Sequence, residues 1–562
     1  MRAPSPSFLL PRLNLRWLAL LAMAACFAGC KSLPVQVDRP VSTALANPEQ
    51  TRIGNAVHQR AAKAGARHDS GFALVNSAEL AFTSRMALIH AAEKTLDIQY
   101  YAIFADETTE RMFDALRAAA GRGVRIRILL DDFNTTGKNA QVLKLAFIKN
   151  IDLRLFNPMH GGRGSMFFRI LSNLHDVDRM QRRMHNKIFV ADNAIAIIGG
   201  RNLGETYFGQ SEGTNFIDAD ILAAGRIVRE VSHSFDQYWN NPLAYPVESL
   251  MTREEISKIN PGPAQEDAPR PVAAVKPAAD GSAVRPAAAD TAPVAGERVT
   301  TAPDGTVNVI EPLPDSTNLA LLDWTWAPSV LLVDKPSKIA ADADEVKQAQ
   351  DTTVDGLLQL MSQAQSDLLI VTPYFVPGQR MMGQLAAIRA KGVRIRVLTN
   401  SMASNDAPAA HAGYARYRKA LLGLGIELFE MRAEQEGSLS SFGFTGSSGS
   451  GGGSRASLHS KIVVLDSRLL VVGSMNLDLR SQLQNTEIAL VISSRKLVDD
   501  TARLIEPALA RAAYKVELQD GRLVWRAPQG SKLEDTETEP DASFGLKLLL
   551  KLIGPFAPEE ML

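Results

Sequence analysis

The sequence predicts an α/β protein built from two related halves, and three observations predict it. One stretch occurs twice at the same internal spacing, MHNKIFVADNAIAIIGGRN from Met184 to Asn202 and LHSKIVVLDSRLLVVGSMN from Leu458 to Asn476. Before each copy the apolar pattern reads strand, helix, strand, and the second strand carries the pentapeptide GVRIR, at Gly123–Arg127 and Gly392–Arg396. Between the halves the composition shifts to Pro and Ala. A repeat this long exceeds a solenoid unit and fits a duplicated domain. Strand–helix–strand order argues for a mainly parallel sheet with crossover helices.

The N-terminus reads as a targeting segment. Arg2, Arg12 and Arg16 flank or precede the apolar run WLALLAMAACFAG, which ends at Cys30. An apolar run, small residues and then Cys is the pattern of a bacterial lipoprotein signal. The run is short for a spanning helix, so cleavage before Cys30 and lipidation of its sulfur is preferred over a plain anchor. The other cysteine, Cys26, then lies in the removed part, which leaves no disulfide and no thiol chemistry. Residues 1–29 are expected to be a signal peptide, and the protein to be lipid-anchored in a bacterial cell envelope, facing the periplasm. No Asp follows Cys30, which favours the outer membrane.

Residues 30–70 read as a polar tether, with Pro34, Pro40 and Pro48, that ends in a short helix. The first repeat is expected over 71–250. It opens on GFALVNSAELAF, with helical spacing through Met86, Leu88 and Ile89. TLDIQYYAI follows as a strand, then a helix through Met112 and Leu116, then GVRIRILLD. Over 251–325 lies the linker, whose core PGPAQEDAPRPVAAVKPAADG and onward holds too few large apolar side chains to support packing. The second repeat, 326–515, gives DLLIVTPYFV, MMGQLAAIRAKG and GVRIRVLTN in the same order. GSLSSFGFTGSSGSGGGS, just before His459, reads as a surface loop, with a mobile flap as the alternative. The tail, 516–562, holds SFGLKLLLKLIGPF, with Lys547 and Lys551 four apart among leucines. This is a basic amphipathic helix that either lies at a lipid interface or docks on the protein's own core.

The doubled stretch carries the chemistry. Both copies read H-x-K-x4-D-x6-G-[GS]-x-N, giving His185, Lys187, Asp192, Gly199, Gly200 and Asn202, then His459, Lys461, Asp466, Gly473, Ser474 and Asn476. On an extended chain His and Lys two apart project from one face, so an imidazole and an ammonium can address one bound group. Small residues after the next apolar run let a backbone approach a ligand closely, and Asn can donate to an oxyanion. His, Lys and Asn converging on one point suit a phosphoryl group better than a metal. A core strand pair with one satisfied His is the ordinary explanation of a lone match; six matched positions found twice argue against it.

These residues resemble the paired HKD motifs of the phospholipase D superfamily, and the flanks are most similar to bacterial cardiolipin synthases of the C type. The resemblance covers the chain from about Gly71 to Glu517. It implies two α-β-α sandwich halves related by a pseudo-twofold axis, with both histidines flanking one phosphate. It implies His185 as nucleophile and His459 as acid and base, Lys187, Lys461, Asn202 and Asn476 on the phosphoryl oxygens, and neither metal nor cofactor. Asp192 and Asp466 belong to the motif by name and are expected to hold strand ends. A histidine that attacks or shuttles protons needs a carboxylate on its other nitrogen. Glu487 in NTEIAL suits that role, and aligning DADILAA on the same strand makes Asp220 its counterpart, with Asp218 as the alternative. His411 and Tyr414, in HAGYARYRKALL, are candidate headgroup contacts, and a surface helix is the competing explanation. His160, His175 and His233 lack partners at metal-ligand spacing and are taken as structural.

The expected activity is phosphatidyl transfer that makes cardiolipin from two membrane phospholipids, phosphatidylglycerol and either a second copy of it or phosphatidylethanolamine. Hydrolytic release of phosphatidic acid uses the same residues and stays open. Nucleic acid is disfavoured as a partner, because the 61 basic and 61 acidic side chains cancel and no basic stripe with interleaved aromatics is evident. No protein partner is legible.

Overall fold

The computed structural model describes residues 33–259, 298–301, 307–310, 313–341, 345–346, 348, 350–434 and 455–553. The expected signal peptide, Cys30, most of the Pro/Ala-rich linker and the Gly/Ser-rich stretch before His459 lie outside the described residues.

The first half begins with α1 (Arg52–Lys63), β1 (Ser70–Val75), α2 (Ala78–Ala91), β2 (Thr95–Tyr100), α3 (Glu107–Gly121), β3 (Arg125–Asp131) and β4 (Ile151–Phe156). It continues with α4 (Met166–Ser172), β5 (Ile188–Ala191), β6 (Ile195–Gly199), β7 (Thr214–Ile217), β8 (Asp220–Gly225), α5 (Arg226–Trp239) and β9 (Ala244–Pro246). Two strands between the halves, β10 (Arg298–Thr301) and β11 (Val307–Ile310), pair with each other.

Next comes β12 (Thr325–Trp326), which returns to the first half, and the second half carries β13 (Ser329–Val333), α6 (Thr353–Met361), β14 (Asp367–Val371), α7 (Gly378–Ala390), β15 (Arg394–Asn400), α8 (Pro408–Gly423) and β16 (Glu427–Met431). It ends with β17 (Arg455–Leu458), β18 (Ile462–Leu465), β19 (Leu469–Gly473), β20 (Ile488–Ser493), α9 (Arg495–Arg511), β21 (Ala513–Gln519), β22 (Arg522–Arg526) and α10 (Phe544–Ile553).

Each half forms a nine-stranded sheet, in the orders β12-β1-β8-β6-β5-β2-β3-β4-β9 and β13-β20-β19-β18-β14-β15-β16-β21-β22. Only the strands joined by crossover helices run parallel: β2 with β3 and β3 with β4, then β14 with β15 and β15 with β16. The remaining ladders in both sheets are antiparallel, so the sheets are mixed rather than mainly parallel. The cause lies in the doubled stretch itself. Asp192 and Asn193, and likewise Asp466 and Ser467, sit at φ near +50°, which closes each copy as a tight hairpin, and a hairpin is antiparallel by construction.

The apolar alternation of these hairpins explains the layering. Ile188 and Val190 face a core shared with Ile462 and Val464 of the other half, whereas Phe189 and Val463 point to the two outer cores. Helices α5 and α9 lie in the shared layer. Both sheet faces are therefore buried, as continuous apolar strands require.

Structure continues past two of the boundaries expected from composition. Ile256 is buried in the first core, and Leu313, Leu319, Leu322 and Trp324 pack against it, so both ends of the 251–325 interval join the first half. At the other end, β21 and β22 complete the second sheet beyond residue 515, with Trp525 buried. Among the described residues no helix is long and apolar enough to cross a membrane.

Candidate active site

His185 and Lys187 lie on extended chain just before β5, and His459 and Lys461 just before β18. Each segment is pinned to the opposite half. The His185 amide donates to the Thr486 carbonyl at 2.9 Å, and the Thr486 amide donates back to Arg183 at 3.0 Å. On the other side β17 pairs in parallel with β7, and the His459 amide donates to the Ile217 carbonyl at 2.8 Å.

These two seams place the residues that follow Thr486 and Ile217 against the histidines. Glu487 meets His185 Nδ1 at 2.9 and 3.0 Å through its two carboxylate oxygens. Asp218 meets His459 Nδ1 at 2.7 Å. The pairing is crossed: each imidazole takes its carboxylate from the other half. Glu487 is held in turn by the Ser474 hydroxyl at 2.5 Å and the Ser481 hydroxyl at 3.0 Å.

Asp220 does not serve a histidine. Its carboxylate is buried between Arg85, at 3.0 Å, and Arg201, at 3.4 Å. The ladder explains the difference: Asp220 lies opposite Gly199, and Ala489 lies opposite Gly473. Asp218 and Glu487 therefore occupy equivalent places, and the alignment of DADILAA on NTEIAL slips by two residues. A slip of two keeps every side chain on its face, so the apolar pattern cannot detect it. The glycines serve these acids as well. A Cβ on Gly200 would come within 2.6 Å of the Asp218 carboxylate, and one on Gly199 would collide with Asp220. Their smallness admits carboxylates rather than the close approach to a ligand that the sequence suggests.

Asp192 and Asp466 act as strand-end clamps. Asp192 accepts the amides of Glu93, Lys94 and Thr95 between 2.8 and 2.9 Å. Asp466 accepts those of Gln365, Ser366 and Asp367. Asn202 is braced by the Ala102 amide at 3.2 Å and the Tyr207 hydroxyl at 2.9 Å, whereas the buried Asn476 Oδ1 has no partner among the described residues.

Burial drives the site's electrostatics. It holds both imidazoles well below their ordinary range, with Lys187 and Lys461 adding to the effect at each. The two histidines also sense each other. Burial pulls Lys187 down to about 7 and Lys461 to about 8, and pushes Glu487 up to about 7. The site thus keeps neutral imidazoles beside weakly held ammonium protons, an arrangement that a bound anion would stabilise. Among the described residues no group of three or more His, Cys, Asp or Glu side chains is placed to hold a metal ion.

Several lining residues escaped sequence reasoning. The Tyr101 ring lies 5.0 Å from His185, and Tyr207 and Phe216 lie 5.3 and 5.0 Å from His459. Tyr374 donates to Asp406 at 2.9 Å, and the Asp406 charge acts on Lys461. Asp478, pushed up to about 7 by burial, neighbours Glu487. Single aromatic and acidic residues outside a repeated motif leave no pattern to read.

His411 and Tyr414 are buried on α8 rather than exposed on a surface helix. His411 Nε2 faces Arg418 at 2.8 Å, and the Tyr414 hydroxyl donates to Glu430 at 3.1 Å, within a buried network on α8. Of the GVRIR arginines, Arg127 is buried between Asp97 and Asp236, whereas Arg394 is exposed and pairs with Glu427.

A family model described as "Cardiolipin synthase, PLD-like domain" matches residues 86–239 and again 357–507. The chain is 34% identical to cardiolipin synthase C of Escherichia coli (strain K12) over 475 residues, 84% of this chain and 92% of that protein. It is 28% identical to an uncharacterized protein of Helicobacter pylori (strain ATCC 700392 / 26695), covering 93% of this chain and 95% of that one. Among solved structures, phosphatidylserine synthase of Haemophilus influenzae Rd KW20 superposes with a TM-score of 0.51 at 13% identity, over 90% of this chain and all of that one. Two matched domains, two intact HKD motifs and crossed histidine–carboxylate pairs lead to one conclusion: the chain belongs to the phospholipase D superfamily, among its cardiolipin synthase-like members.

Proposed function

We propose that the protein is a phosphatidyltransferase that makes cardiolipin from two phospholipids through a phosphohistidine. The crossed pairing carries this reading. With each Nδ1 held by a carboxylate, each Nε2 is left to face the site that the halves share. A bound phosphodiester anion offsets the two lysine charges and lets His459 carry a proton on Nε2 in the complex. His185 Nε2 attacks phosphorus, the bond from phosphorus to the first headgroup alcohol breaks, and His459 gives that alcohol its Nε2 proton. His459 then takes the proton of the second lipid's hydroxyl, whose oxygen displaces His185 from phosphorus. Lys187 and Lys461, with Asn202 and Asn476, neutralise and orient the phosphoryl oxygens.

Support for transfer over hydrolysis comes from the rings of Tyr101, Tyr207 and Phe216, which pack about the two imidazoles and limit room for water. Phosphatidylglycerol is one substrate; the donor is a second phosphatidylglycerol or phosphatidylethanolamine. The protein works at a membrane of the bacterial envelope, anchored through a lipid on Cys30 and facing the periplasm.

The test is a lipid extract from cells lacking other cardiolipin synthases that express wild type or His185→Ala. Wild type gains cardiolipin and the variant does not. No gain with wild type sinks the reading, and accumulation of phosphatidic acid instead converts it to hydrolysis.

A further inference from the structure

Each half places one helix with an exposed apolar face beside the shared site. In the first, α4 leaves Phe167 and Phe168 at 69 and 65% exposure, with Leu171 and Leu174 beside them. The phenylalanine pair is firmly mounted. Arg163 and Arg169, before and after it, are buried and bind Asp132 at the end of β3. The next residue, Phe133, stacks on Tyr101, which lies against His185.

In the second half, α10 packs Leu546 and Leu550 against Met402 and Ala412, and leaves Phe544, Leu548, Leu549 and Leu552 exposed. Met402 corresponds to Phe133 when the two GVRIR pentapeptides are superposed. Helix α4 is thus fixed at Asp132 and α10 packs on Met402, so both mount at the ends of corresponding strands. Single exposed leucines are ordinary on a protein surface, but two clusters flanking one site are not.

Charge identifies the occupant. Helix α10 has no acidic residue, and its Lys547 and Lys551 make no ion pair among the described residues. They line a cavity of about 660 Å³ together with Arg416 and the buried His411. His411 Nε2 meets Arg418 at 2.8 Å and lies 3.7 Å from Glu539, and its buried Nδ1 has no partner among the described residues. Glu537 and Glu539, on the same cavity, are engaged by Arg522 and Arg418.

We propose that α4 and α10 form one docking face that seats the protein on an anionic phospholipid bilayer, with the cavity beside Lys547 and Lys551 taking a phosphodiester headgroup. This rests on the phosphatidyl-transfer reading and adds how the substrate is presented. The exposed side chains enter the interface, the lysines meet its negative surface, and the site between the helices faces the headgroup layer.

The test is vesicle co-sedimentation of the full chain carrying Cys30→Ser, so that a lipid anchor cannot mask losses. Phosphatidylglycerol vesicles are compared with pure phosphatidylcholine, and turnover is measured on monomeric short-chain phosphatidylglycerol. The parent and its His185→Ala derivative should bind phosphatidylglycerol vesicles equally. Phe167→Ser/Phe168→Ser and Phe544→Ser/Leu548→Ser should each bind at least about tenfold more weakly. Lys547→Glu/Lys551→Glu should lose its preference for anionic vesicles and its salt dependence. All three double variants should keep the melting temperature of the parent, and the two apolar double variants its short-chain turnover. Double variants that bind vesicles like the parent overturn the docking face and leave the chemistry standing. A parent that binds vesicles but turns over neither substrate form overturns the transfer reading instead.

Discussion

Replacing Asp218 with Asn isolates the crossed pairing in one step. The substitution keeps shape and removes a buried charge that lies 2.7 Å from His459 Nδ1. A hydrogen bond to a charged group contributes roughly 1.5–3 kcal/mol, and Coulomb attraction at about 4 Å in an effective dielectric near 20 gives about 4 kcal/mol as an upper bound. Lys461 Nζ stands 3.1 Å from the same nitrogen, so without Asp218 the ring faces a cation alone. A loss of roughly 2–4 kcal/mol in the protonated form of His459 corresponds to a turnover about 30- to 1000-fold slower. The assay is cardiolipin formation in mixed micelles by mass spectrometry, with thermal melting as the folding control. An activated phosphatidyl ester, whose leaving group needs no proton, should recover most of the phosphoenzyme formation, because the damage lies in acid catalysis. If Asp218→Asn stays within about threefold of wild type while a folded Asp220→Asn falls by the larger factor, the crossed assignment is wrong.

Four further outcomes follow from the same geometry. The pH profile should be set by burial. His185 sits below its ordinary value and stays neutral as pH falls through 6.5, so the acid limb of kcat/KM lies below that pH. Lys187 and Lys461 lose protons as pH rises through about 7 and about 8, so the alkaline limb in the free enzyme begins there, and moves up in kcat once a bound anion favours the ammonium forms. Asp192→Ala, which strips the amides of Glu93, Lys94 and Thr95 of their acceptor, should lower the melting temperature and cost about 1–3 kcal/mol of stability, with turnover of the folded fraction within a few-fold of wild type. Tyr414→Phe, which removes the hydroxyl contacts to Glu430 and Arg418, should leave KM for phosphatidylglycerol unchanged while lowering the melting temperature. Turnover should survive incubation with EDTA; a loss that Zn²⁺ or Mg²⁺ restores would refute charge neutralisation by the two lysines.

The doubled motif was legible because repetition at fixed spacing is itself a signal, and it placed His185, Lys187, His459 and Lys461 on matching segments. What it could not convey was partnership across the seam. Glu487 and His185 are hundreds of residues apart in the chain, and nothing local to either states that they touch. The sequence left the Asp218/Asp220 choice open for a related reason, since period-two patterning is blind to a shift of two. His411 looked like a ligand from its neighbours in sequence, yet α8 turns it inward onto Arg418. Antiparallel pairing was missed because the strand–helix–strand order describes only two strands of each nine-stranded sheet. The two exposed helices differ again: α10 announced itself through its leucines and lysines, whereas Phe167 and Phe168 sit in a helix too short to show a period.

Because each imidazole is tuned by an acid on the opposite side of the seam, neither half holds a complete reaction centre. A lesion in one half disarms the histidine of the other, so the two copies cannot specialise separately after duplication. Expressed as separate chains they would be inert, and mixing them would restore turnover only insofar as the β7–β17 and Arg183–Thr486 seams re-form.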